Sequence, residues 1–224
     1  MNLHIIIHII SFTVSLVSFF IAISVFGVRN RKGILQYFFI YALINVLLVG
    51  FYIFSLFFNL EFENTIFGIN YVSNTYLFVY LGLLIKNEIK GLTKLKIANI
   101  IFYVFYVLTI VAIIIKLNSA NDFSILILPH FGLLIMAILY FLGLYQHVPS
   151  TPLQFVPEVW AIIGICFQAT VTILSYVFIG FFIEIGSKIY IGIVGFGIVI
   201  GYIMFSLFFI KGLLCFTNRE KLLL

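Results

Sequence analysis

The sequence predicts an all-α polytopic membrane protein, a bundle of seven transmembrane helices with the N-terminus outside and the C-terminus cytoplasmic. Three observations carry this. Hydrophobic residues make up 64% of the 224-residue chain and charged residues only 8%. A soluble domain usually carries about 25% charge, so this chain could not cover a water-facing surface. The apolar residues fall in seven runs of the length a spanning helix needs, about 20 residues. Lysine and arginine gather between runs on one side.

The first run is 3–28, ended by Arg29-Asn30-Arg31-Lys32-Gly33. The second, 34–60, stops at Glu61, Glu63 and Asn64. The third, 66–85, stops at Lys86 and the Lys90–Lys96 stretch. The fourth is 97–115, ended by Lys116 and the Asn118–Asp122 segment, and the fifth is 124–145. The sixth, 159–183, follows a segment holding Pro149, Pro152 and Pro157, and the seventh is 189–216 with an eight-residue tail. Together they form one transmembrane domain, 1–224. The positive charge follows the first run rather than preceding it, and the run is long; both features argue for a retained N-out anchor over a cleaved signal peptide.

Sidedness follows from the basic residues. Arg29, Arg31, Lys32, Lys86, Lys90, Lys94, Lys96, Lys211, Arg219 and Lys221 share one side, and Lys116 and Lys188 the other. The side rich in Lys and Arg is expected in the cytoplasm. With the acids counted, that side carries +7 and the other −2, which recovers the net charge of +5. Scattered basic residues between spans orient a membrane protein; nucleic-acid binding is not expected. Two cysteines, Cys166 and Cys215, make no disulfide framework. Cys166 reads as a small apolar filler and Cys215 as juxtamembrane, where acylation is conceivable.

Helices in lipid associate through small residues and interhelical hydrogen bonds. His4, His8, Ser11, Ser15, Ser18 and Ala22 recur every three or four residues, a stripe expected to face protein. Gly197 and Gly201 form a G-x-x-x-G pair, expected to mark close helix packing, with a homo-oligomer face as the other reading. Asn45, Asn70, Asn74 and Gln168 are buried amides that must find partners. They are interhelical glue, or some of them line a pocket opening outward. Trp160 fits the aromatic belt, and Tyr103 and Tyr106 read as inward-facing hydrogen bonders.

No Asp, Glu, Lys or Arg falls at mid-membrane, and intramembrane charges are the usual marks of transport or catalysis. A retinal protein needs a lysine deep in its last helix; Lys211 sits near the end. A proton-coupled carrier would normally use a buried carboxylate. No G-x-S-x-G, P-loop or G-x-G-x-x-G pattern occurs, so catalytic residues and cofactors are expected to be none. His4, His8 and His130 could hold a metal only through a weak spacing signal, and no metal is expected. No repeat between the two halves points to an inverted-repeat transporter. The proposed ligand-binding residues are His8, Asn70, Asn74 and His130, lining a pocket in the outer half among the first, third, fifth and sixth spans, together with Gln168 near mid-membrane. The proline-rich 147–158 segment is a linker on the bilayer, with Leu153 and Phe155 dipping in, or a docking site for a membrane or cytoplasmic partner.

Pro157-Glu158-Val159-Trp160-Ala161-Ile162-Ile163-Gly164 and the Asn70–Leu83 stretch resemble a bacterial group of small uncharacterised seven-helix membrane proteins, often associated with histidine-kinase signalling proteins. In that group the sixth span tends to begin Pro-x-Phe-Trp with Gly four residues after the Trp. Here Val159 replaces the Phe, and Gln168 stands where a Tyr is common. The resemblance implies a sensory or accessory role in the bacterial inner membrane and carries over no functional residue. The expected function is therefore a non-enzymatic, sensor-like or accessory membrane subunit binding a small or lipidic ligand or a membrane partner. A transporter or channel for an uncharged solute is the first alternative, and a membrane-embedded lipid enzyme the second.

Overall fold

A computed structural model of the chain describes residues 9–10, 12–14, 16–23, 39–40, 43–44, 46–47, 50–51, 54, 78–79, 81–86, 89, 92–116, 127–146, 152–185 and 188–221. These residues are almost entirely helical, and no strand occurs among them. Four long helices dominate: α1 (Leu92–Lys116), α2 (Ile127–Gln146), α3 (Pro157–Ile185) and α4 (Lys188–Lys221). Each contains a stretch long and apolar enough to cross a membrane, namely Thr93–Ala112, Ile127–Gln146, Pro157–Ile179 and Phe196–Cys215. They correspond to the fourth to seventh predicted spans. The second span and most of the third lie largely outside the described residues.

All four helices run past at least one predicted end, α2 by a single residue. α1 starts at Leu92 rather than 97, and α4 continues to Lys221 rather than 216. Charge ends the apolar run, but it does not end the helix. A lysine stem follows the helix surface while its ammonium reaches water, so helix continues beyond the hydrocarbon. At 1.5 Å per residue α4 is about 51 Å long, well beyond a hydrocarbon core of about 30 Å. α3 begins at Pro157, two residues early. Proline suits the first helical position, where its missing N–H would have had no partner anyway.

Neighbours in sequence are neighbours in space: α1 packs on α2, α2 on α3, and α3 on α4, the last pair most extensively. Adjacent helices are antiparallel. Lys94, early in α1, donates through Nζ to the Leu142 carbonyl at 3.1 Å and to Gln146 Oε1, both at the end of α2. A cation there also complements the partial negative charge of the helix terminus. His130, early in α2, meets Tyr176, late in α3. The start of α3 meets the end of α4 through Pro157 and Gly212. One end of the bundle thus gathers Lys86, Lys94, Lys96, Trp160 and Lys211.

Helix pairs close where phenylalanine faces glycine. A Cβ at Gly132 would lie 2.7 Å from Phe78 Cε2, and one at Gly82 would lie 2.8 Å from Phe102 Cε2. The rings fill the space those missing methyls leave. Phe78 stacks on Phe102 at 5.4 Å, and Phe102 on Tyr106 at 6.3 Å. Helical residues 81–86 are locked to α1 and α2 this way, with Leu81, Leu84 and Ile85 fully buried. In the first predicted span, Ser18 and Ala22 are buried while Val17, Phe20 and Ile23 are exposed. The inward stripe therefore holds at those two positions; His4, His8, Ser11 and Ser15 lie outside the described residues.

The outer surface is apolar. On α1, Ile100, Val104, Val107, Val111 and Ile114 are all exposed. A row this long facing water would be an aggregation site; facing hydrocarbon it is ordinary. Tyr103 belongs to this outward row at 57% exposure, which corrects its assignment as an inward hydrogen bonder. Its ring lies 5.6 Å beneath Lys86 Nζ. The position is near the basic end of α1, where an aromatic ring suits the interface better than the core.

Candidate functional site: a buried polar stripe on α3

The interior of the α2–α3–α4 assembly is not uniformly apolar. On α3, Gln168, Thr172, Ser175 and Tyr176 are buried. Their spacings of three and four put them on one face. α4 approaches that face through its small residues. A Cβ at Gly201 would lie 3.2 Å from Val171 Cγ1 and 3.9 Å from Gln168 Cα, and one at Gly197 would lie 3.1 Å from Ser175 Oγ. Gly197 and Gly201 therefore face α3 of the same chain. Larger residues would separate the helices and widen the gap around the polar groups.

Gln168 sits eleven residues into α3, about 16 Å along the axis and near mid-membrane. It is 1% exposed, and neither Oε1 nor Nε2 has a hydrogen-bond partner of good geometry. The Tyr202 phenol on α4 approaches the amide without completing a well-formed bond. An amide left this way costs about 1–3 kcal/mol.

One turn further, Thr172 is 1% exposed and its Oγ1 also has no partner. Four other helical hydroxyls differ from it. Thr13, Ser18, Thr109 and Thr170 each donate to the carbonyl four residues earlier, at 2.7–2.9 Å. That bond is open to any helical threonine. Thr172 does not make it.

Two turns beyond Gln168, about 12 Å along the axis, Tyr176 meets His130 with ring centroids 6.4 Å apart and planes at 65°. His130 is 1% exposed. Of the five predicted site residues, His130 and Gln168 are thus both buried on the α2–α3–α4 interior, at opposite ends of one stripe. His8, Asn70 and Asn74 lie outside the described residues. Sequence reasoning missed Thr172, Ser175 and Tyr176, although counting fours from Gln168 reaches Thr172 and Tyr176. It also missed Asn99 on α1, whose Oδ1 is buried without a partner.

Of the proline-rich 147–158 segment, residues 147–151 lie outside the described residues, and residues 152–156 are held by local bonds. Leu153–Phe155 form a 3₁₀ turn, with Pro152 before it in an extended conformation and the Val156 N–H donating to the Leu153 carbonyl. The Gln154 carbonyl accepts the Trp160 indole N–H at 2.9 Å and the Cys215 thiol at 3.4 Å. Trp160 stacks on Phe208 at 6.2 Å, and Lys211 Nζ lies 5.7 Å over its ring. Leu153 is exposed and Phe155 half-buried. Cys215 is 3% exposed, so its thiol closes the corner rather than presenting itself for acylation.

Among the described residues the stripe holds no carboxylate, ammonium or guanidinium. Its groups are an amide, hydroxyls, a phenol and an imidazole, suited to holding a neutral polar group in a dry interior. No protein-family model matches this chain, no curated protein is significantly similar to it, and no solved structure matches its fold.

Proposed function

We propose that this chain is a non-enzymatic integral membrane protein, a sensor-like or accessory subunit that binds a small neutral or lipidic ligand within its helix bundle. The carrying observation is Gln168, an amide buried near the middle of α3 whose oxygen and nitrogen make no well-formed hydrogen bond, with only the Tyr202 phenol beside it. Natural proteins tolerate such a cost mainly where function needs it. The absence of mid-membrane charge in the sequence supports recognition over ion-coupled work. Seven spans, an outside N-terminus and an inner-membrane location in a bacterial cell complete the proposal. Ten basic residues on one side support the sidedness, and the resemblance of 157–164 and 70–83 to bacterial signalling-associated membrane proteins supports the accessory role. The test is extraction and mass analysis of small molecules held by purified protein. A neutral species retained by the wild type and lost in Gln168→Leu supports the proposal.

A second reading is a path for an uncharged solute. The continuation of the stripe from Gln168 through Thr172 and Ser175 to Tyr176 and His130 favours it. Glycerol flux into proteoliposomes separates the two: a carrier or channel accelerates flux over empty liposomes and loses the acceleration in Gln168→Leu, whereas a binding subunit leaves flux at background.

A further inference from the structure

Gln168 and Thr172 are one turn apart on one face of α3, both 1% exposed, and both lack hydrogen-bond partners. Residues at this spacing hold their Cβ atoms about 5–6 Å apart. A single oxygen can hydrogen-bond two groups at once, at about 2.8 Å from each. The chemistry required of the missing group is narrow. With only the Tyr202 phenol approaching it, Gln168 keeps an acceptor and donors outside any well-formed hydrogen bond, so a partner that both gives and takes a hydrogen bond suits it. A ketone or ester carbonyl would leave Oε1 empty. An ammonium or carboxylate would bring an unpaired charge to mid-membrane, where no opposite charge lies among the described residues. A neutral hydroxyl meets every condition. Thr172 strengthens the argument, because its hydroxyl forgoes the i−4 carbonyl that four other hydroxyls in this molecule use.

We propose that Gln168 and Thr172 form a two-point site for a single neutral hydroxyl group, supplied by the alcohol of a membrane-soluble ligand or by an internal water. The proposal deepens the binding reading and rests on it for the choice of Gln168 as anchor.

The test uses full-length protein in lipid bilayers, with the Gln168 side-chain amide observed by nitrogen-15 solid-state NMR. Its signal is assigned by its loss in Gln168→Leu. The probes are 1-octanol, octyl methyl ether (which accepts but cannot donate) and bulk water. The expected result is magnetisation transfer to the amide from octanol or from water, none from the ether, and an affinity or occupancy about tenfold lower in Thr172→Val, the loss of one hydrogen bond. Thr172→Val keeps the side chain's shape and removes a hydroxyl that bonds to nothing, so folding should survive; Tyr103→Phe on the lipid face should change nothing. Octanol contact supports both this proposal and the binding reading. Water contact alone supports the hydroxyl site and overturns the binding reading. A bound species lost in Gln168→Leu but unaffected by Thr172→Val overturns the hydroxyl site and leaves the binding reading standing. Equal transfer from the ether also overturns the hydroxyl site. A dry amide that contacts no probe overturns both.

Discussion

Gly201 on α4 lies directly against Gln168 on α3, so closely that a Cβ at Gly201 would stand 3.9 Å from the Gln168 Cα and 3.2 Å from Val171 Cγ1. The smallest residue of one helix thus faces the most polar buried residue of the next. Glycine lets the backbones approach, and the approach shields the amide from bulk lipid and bulk water. Gly201→Leu should force the helices apart, lowering stability by roughly 1–3 kcal/mol as overpacking does. Thermal unfolding in detergent reads the loss.

The glycines should not respond equally. A Cβ at Gly212 would lie 2.9 Å from the Pro157 carbonyl, which is backbone and cannot rotate away. At Gly201 the obstacle is a valine methyl at 3.2 Å. Alanine also gains about 1 kcal/mol over glycine within a helix. Gly201→Ala is therefore expected near neutral, and Gly212→Ala destabilising by roughly 1–3 kcal/mol. Equal melting temperatures for the two variants would contradict the packing described at the Pro157 corner.

The corner itself makes a second prediction. Trp160→Phe removes the indole N–H that donates to Gln154 at 2.9 Å and weakens the ring beneath Lys211. A loss of about 1–2 kcal/mol follows from one hydrogen bond and a partly exposed cation–π contact. The same change loosens the cover on Cys215. Maleimide labelling of Cys215, followed in a Cys166→Ala background, should be slow in the parent and faster in Trp160→Phe. Rapid labelling of the parent would contradict the burial of the thiol.

Gln168→Leu should separate stability from function. Replacing an unsatisfied buried amide with a side chain of similar size removes a cost of about 1–3 kcal/mol. The empty variant should melt at or above the temperature of the empty wild type, yet hold no ligand. A strongly destabilised variant would mean that the amide is structural glue.

Fold class was legible in the sequence because lipid imposes a length and a composition that few other structures share. The four described long helices sit where the apolar runs put them. Their ends were not legible: Leu92 and Lys221 extend helices beyond the charges that bound the runs, and a lysine tells where hydrocarbon stops, not where helix stops. Gln168 and His130 stood out as rare polar residues in apolar runs. Thr172 did not, because a membrane threonine usually bonds its own backbone, and only the structure reveals that this one does not. Tyr103 was misjudged because periodicity gives a face but not the neighbour that faces it. The order before α3 was hidden for a related reason: prolines announce an irregular segment, while the bond from Cys215 to the Gln154 carbonyl depends on α4, 61 residues away in sequence.

The central claim is that the interior polar stripe holds a neutral partner at Gln168. Native mass spectrometry of wild type and Gln168→Leu, purified in parallel from the same membranes, tests it most directly. The wild type should carry a neutral adduct that the variant lacks, and a spectrum with the same mass peaks for both, apart from the substitution itself, would contradict it.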